Sequence, residues 1–174
     1  YANTVGTRGT FVGRSAGVSS TTALENTFVG FYSGLNTSTG GYNTALGSQS
    51  LAANTTGVNN VAIGYAALTS NTTGNSNTAI GTSYNVNAAL QANTTGSYSV
   101  AVGHNALKLN TTGRNISIGT NSSTANTTGT NNTVVGGGNG NTSSGPASAI
   151  LGGNVNKATG QYSTIVNGLT NLSC

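Results

Sequence analysis

The chain has no Asp, Met or Trp, and only one Pro, one Cys and one His in 174 residues; Glu25 is its sole acid. Each shortage excludes a chemistry. Without Asp, and with His104 as the only imidazole, a Ser-His-Asp triad cannot be built, and Cys174 cannot form a Cys-His-Asn site with it. Glu25 alone cannot supply the paired carboxylates of glycoside hydrolysis. Zinc needs three or four His, Cys or acidic ligands. Calcium-binding β-rolls place Asp in every coil, where this chain has Asn and Thr. No enzyme activity, metal or cofactor is expected. A single Cys excludes an internal disulfide. No apolar run approaches the ~20 residues of a membrane-spanning helix, so no membrane insertion is expected.

Charge is nearly absent as well. The cations are Arg8, Arg14, Lys108, Arg114 and Lys157, giving a net charge of +4. They are scattered, whereas a nucleic-acid groove clusters Lys and Arg to displace counterions. Nucleic acid is therefore not an expected partner. The Gly-rich run after Gly136 lacks the Lys and helix of a phosphate loop.

What is present is repetition. Asn (26), Thr (30), Ser (20) and Gly (27) make up more than half of the chain. Such a bias often signals disorder, but here it is ordered by period. Asn60-Val61-Ala62-Ile63-Gly64 recurs as Asn43-Thr44-Ala45-Leu46-Gly47 and as Asn77-Thr78-Ala79-Ile80-Gly81. The closing Gly falls at Gly13, Gly30, Gly47, Gly64, Gly81, Gly103, Gly119, Gly136 and Gly152, with Asn167 in the tenth slot. Most units are 17 residues, and one, between Gly81 and Gly103, is 22. A period of 17 is too short for a helix pair, which needs ~33 or more. It suits short strands joined by Gly, Asn and Thr turns. We therefore expect an all-β fold: a parallel β-solenoid of about ten coils in a single domain spanning residues 1–174.

The columns of the repeat carry the next expectations. Before each marker stands a branched aliphatic, from Val12, Val29 and Leu46 to Leu151 and Val166. This column is predicted to point inward, with the Thr-rich column two residues earlier on the same side. The residue between them should then face outward. That column, Phe11, Phe28, Ala45, Ala62, Ala79, Ala101, Ser117, Val134, Ile150 and Ile165, is apolar in all but one coil. Either a wide coil buries both faces, or the column is a self-association face; with so few residues per coil the second is expected.

A second phrase, Asn-Thr-Thr-Gly, opens at Asn54, Asn71, Asn93, Asn110 and Asn126. These five are candidate N-glycosylation sites, because Asn-x-Ser/Thr is the acceptor sequence and a shared corner would align them along one edge. Further sequons occur at Asn36, Asn115, Asn121, Asn131, Asn141 and Asn171. The segment Tyr84 to Gln91, which breaks the period, is a candidate receptor-binding loop.

Asn-Thr-Ala-Ile-Gly, followed by Ala-Leu and Asn-Thr-Thr-Gly, resembles the head repeats of trimeric autotransporter adhesins. It is also similar to repeat regions of phage and viral tail-fibre proteins, which share Asn-Thr-Thr-Gly. The resemblance covers roughly Gly9 to Gly168. It implies a left-handed parallel β-roll, often trimeric, used for display and attachment at a cell or virion surface. The coils here are longer than the usual adhesin-head coil, and no coiled-coil heptads occur.

The expected function is a structural or adhesive subunit of an extracellular, cell-surface or virion-surface fibre. Its partners would be copies of itself, as a homotrimer or a head-to-tail filament, with cell-surface glycans as further candidates. Alternatives are a glycan-binding module and an ice-binding module; the inward assignment of the Thr column weighs against ice.

Overall fold

A computed structural model of the chain describes residues 8–82, 87–136 and 138–174. It contains short strands and turns, with no helix among the described residues. The strands are β1 (Thr10–Val12), β2 (Thr27–Val29), β3 (Thr44–Leu46), β4 (Val61–Ile63), β5 (Thr78–Ile80), β6 (Val100–Val102), β7 (Ile116–Ile118), β8 (Thr133–Val135), β9 (Thr142–Ser143), β10 (Ala149–Ile150), β11 (Lys157–Ala158), β12 (Thr164–Ile165) and β13 (Leu172–Ser173).

Ten of them form one parallel sheet in the order β1-β2-β3-β4-β5-β6-β7-β8-β10-β12. Every pairing keeps register, so Ala45 lies beside Ala62 and Leu46 beside Ile63. The fold is a β-solenoid of roughly 17 residues per turn. Nine inter-strand steps of ~4.8 Å give a sheet about 43 Å long. Near the C-terminus the coil shortens and gains a second parallel sheet, β13-β11-β9.

Stacking in register dictates the turn residues. Gly47 has φ 134°, and a Cβ there would lie 2.6 Å from the Gly64 carbonyl oxygen. Only glycine satisfies both conditions. Four leucines, Leu51, Leu68, Leu90 and Leu107, also take φ between 50° and 54°. Left-handed backbone costs about 1–2 kcal/mol per residue. All four side chains are buried, and burial of a leucine returns about 1.5–3 kcal/mol. The core therefore offsets the strain.

The structure reverses the expected faces of the strands. The middle column points inward: Phe28, Ala45, Ala62, Ala79, Ala101, Val134 and Ile150 are fully buried, Ile165 is buried, and Phe11 is half-buried. The pre-Gly aliphatics point outward, with Val12 56%, Leu46 48% and Val166 69% exposed. A three-residue strand sends one side chain to one face and two to the other, so a shift of one position exchanges the faces. The coil is narrow, and Ala on the strand wall meets Leu on the opposite wall. The larger branched residues, sharing their face with Thr, are left outside.

Polar side chains complete the interior. The Asn that precedes β2, β3, β4, β5, β7 and β8 is buried and bonds to the adjacent coil, and a buried Ser takes the slot before β6, β10 and β12. Asn60 N–H donates to Asn43 Oδ1 at 2.9 Å, and Asn77 N–H donates to Asn60 Oδ1 at 3.0 Å. Asn60 Nδ2 donates to the Gly74 carbonyl at 2.9 Å. Asn115 and Asn132 continue the ladder at 3.0 Å. Where the coil changes form, Ser117 takes the middle position and bonds within the core to Ser122.

Candidate functional site

The outward side of the long sheet is the largest regular feature of the surface. One column reads Thr10, Thr27, Thr44, Val61, Thr78, Val100, Ile116, Thr133, Ala149 and Thr164. The other reads Val12, Val29, Leu46, Ile63, Ile80, Val102, Ile118, Val135, Leu151 and Val166. All twenty are partly or fully exposed. The columns lie about 7 Å apart, two residues along a strand, and repeat every ~4.8 Å. No charged residue interrupts either of them.

The proposed self-association residues Phe11, Phe28, Ala45, Ala62, Ala79, Ala101, Val134, Ile150 and Ile165 are therefore core residues. Any apolar association face of this sheet lies on its other side. A sequence signal for this existed. Six of the ten residues in the first column are Thr, and a half-wet sheet places its more polar side in solvent.

The five Asn-Thr-Thr-Gly asparagines are also buried, contrary to an exposed row of sugar acceptors. Asn54, Asn71, Asn93, Asn110 and Asn126 have no exposed surface. Asn71 Nδ2 donates to Asn54 Oδ1 at 2.9 Å and to the Gly74 carbonyl at 3.0 Å. Asn93 Nδ2 repeats this with Asn71 Oδ1 and the Gly96 carbonyl. A side-chain nitrogen committed to two carbonyl oxygens inside the coil cannot carry a glycan in the folded chain. The threonines of the phrase do reach the surface, as at Thr56, Thr73 and Thr95. Among the other sequons, Asn36, Asn131 and Asn171 are exposed, while Asn115 and Asn141 are buried.

In the candidate receptor loop, residues 84–86 lie outside the described residues. The described part contributes to the core: Ala88, Ala89 and Leu90 are buried. His104 is exposed on a turn, and no group of three metal-ligating side chains occurs among the described residues. Among the described residues no helix is long and apolar enough to cross a membrane.

A further column runs along the corner that leads into the strands. It consists of Arg8, Glu25, Tyr42, Asn59, Ser76, Tyr98, Arg114, Asn131, Ala147 and Tyr162, all with φ between 55° and 65°. Left-handed backbone in non-glycine residues is uncommon. Here it recurs in ten stacked coils because the ladder bonds fix it, as in Tyr98 N–H to the Asn75 carbonyl and Arg114 N–H to the Ser97 carbonyl. The Arg8 guanidinium pairs with Glu25 at 2.7 Å.

Compared with known proteins, the chain matches no family model, no curated protein and no solved structure.

Proposed function

We propose that the chain is a structural, adhesive-type subunit of an extracellular, cell-surface or virion-surface fibre that associates with copies of itself. The observation that carries this reading is the outward sheet face, with its aliphatic column and mixed Thr column. At about 43 Å by 12 Å it presents roughly 500 Å² per copy, and two facing copies would bury about 1,000 Å², the lower bound of a specific interface. The largest apolar patch on a typical monomer is about 300–600 Å² and is often functional. A second copy carries the same pitch, so each contact repeats coil after coil without drift. The scarcity of acids, His and Cys supports a structural role over an enzymatic one.

Sedimentation velocity tests the proposal on the chain and on a Leu46→Lys/Ile80→Lys/Ile118→Lys variant. The wild-type chain should sediment as an oligomer or filament, and the variant as a folded monomer. A wild-type monomer at tens of micromolar, or a variant that associates equally well, would overturn it.

A second reading uses the same face. Thr10, Thr27, Thr44, Thr78, Thr133 and Thr164 lie on this exposed face, the first three in successive coils, and a row of hydroxyl and methyl groups at strand pitch can order water into a lattice and bind ice. Inhibition of ice recrystallisation by the monomeric form would favour it over self-association.

A further inference from the structure

The corner column contains one place where an aromatic ring and a cation are stacked neighbours. Arg114 Cζ lies 5.9 Å from the centre of the Tyr98 ring. Beside them is an open groove of about 340 Å³, lined by Ser97, Tyr98, Gly113, Arg114, Thr130 and Asn131. That volume lies at the lower end of small-ligand sites, which span ~300–1,000 Å³. Tyr98 is 61% exposed and Arg114 is exposed.

The chain offers its cations almost no anion. Glu25 is the only acid in the sequence, and Arg8 engages it. Arg14 rests over Phe31 at 5.8 Å, and Lys108 Nζ donates to Asn87 Oδ1. Arg114, like Arg14, contacts an aromatic ring and makes no side-chain hydrogen bond among the described residues, so its planar fork of donors remains available, and it is Arg114 that lines the groove beside Tyr98. Such a fork matches a carboxylate with two parallel hydrogen bonds. The backbone around it is already satisfied: Arg114 N–H bonds to the Ser97 carbonyl, and the Thr130 carbonyl accepts from Ala147 N–H. The Thr130 hydroxyl and Asn131 amide make no hydrogen bond among the described residues, and both line the groove.

We propose that this groove binds a carboxylated sugar. The Arg114 guanidinium takes the carboxylate, the Tyr98 ring packs against the C–H face of the pyranose, and Thr130 and Asn131 bond to ring hydroxyls. A lone cation does not suit a polyanion, whose binding depends on many phosphate contacts. A simple anion would leave the ring and amide unused. The site lies on the corner before β6, β7 and β8 and does not rest on self-association through the sheet face.

The test is an amide-resolved NMR titration of the chain with sialyllactose, a glucuronic-acid disaccharide and neutral lactose. Either acidic sugar should shift Ser97, Tyr98, Gly113, Arg114, Thr130 and Asn131 saturably, and lactose should bind at least tenfold more weakly. Arg114→Gln should weaken acidic-sugar binding at least tenfold, and Arg114→Lys several-fold through loss of the fork. Arg14→Gln should leave it unchanged. Should Arg114→Gln perturb the coil, Tyr98→Asn keeps a residue tolerant of left-handed backbone and should still lose binding. Equal binding of lactose, no saturable binding of either acidic sugar, or an equal loss in Arg14→Gln would overturn the site.

Discussion

The Phe28 ring occupies the space that a side chain at position 34 would need: a Cβ on Gly34 would lie 2.4 Å from Phe28 Cε2. The neighbouring coil repeats the arrangement, with Phe11 stacked on Phe28 at 5.4 Å and Gly17 beneath both rings. In the next four coils the sizes are exchanged. Ala45, Ala62, Ala79 and Ala101 stand on the strand, and Leu51, Leu68, Leu90 and Leu107 fill the opposite wall. Each of these six coils thus places one large and one small side chain across the same narrow interior.

This exchange predicts a rescue. Phe28→Ala should destabilise the N-terminal coils by about 3–5 kcal/mol through the cavity it leaves. Gly34→Leu alone should destabilise through the clash with Phe28 and through its φ of 58°. The double variant, which recreates the Ala/Leu pair, should recover much of the loss. Denaturant unfolding of all four proteins gives the coupling, expected in the range of ~1–3 kcal/mol for residues in contact. Simple additivity of the two losses would contradict it.

The direction of the strand faces is testable at one pair of neighbours. Ala62→Asp places an unpaired charge inside the coil and should unfold the middle of the rod. Ile63→Asp places it on the outer face and should leave melting of the isolated subunit close to wild type. Collapse of both variants, or of Ile63→Asp alone, would restore the opposite assignment.

The Asn ladder should matter more than surface asparagine. Asn60→Ala removes the acceptor of Asn77 N–H and the donor to the Gly74 carbonyl. Leaving buried partners unsatisfied costs about 1–3 kcal/mol. Asn36→Ala, on the surface, should shift stability by less than about 0.5 kcal/mol. Thermal melts compared at one protein concentration decide between them.

Glycan occupancy should follow exposure rather than the repeated phrase. In a host that glycosylates secreted chains, Asn36 and Asn131 should be modified in the folded protein, while Asn54, Asn71 and Asn93 remain bare. Peptide mapping by mass spectrometry reads this directly. Sugar on the Asn54-Asn71-Asn93 row of a chain with native melting would refute the buried amide ladder.

The sequence by itself determined the period, the parallel β-solenoid and the columns. Coils stacked in register bring the same slot of every repeat together, so each slot must keep one chemistry, and that constraint is visible as Gly47 above Gly64 or Asn43 above Asn60. Only the tertiary structure decided which way those columns face. With strands of three residues, parity is the whole difference between core and surface, and Ala62 and Ile63 are both acceptable β residues on either side. The interior width settled it, because Ala opposite Leu68 fills a 17-residue coil and Ile opposite Leu would not fit. The fate of Asn71 was likewise a tertiary matter. A sequon shows that an amide can accept sugar, but only the position of Asn54 and Gly74 in the folded coil shows that this amide is already bonded inside.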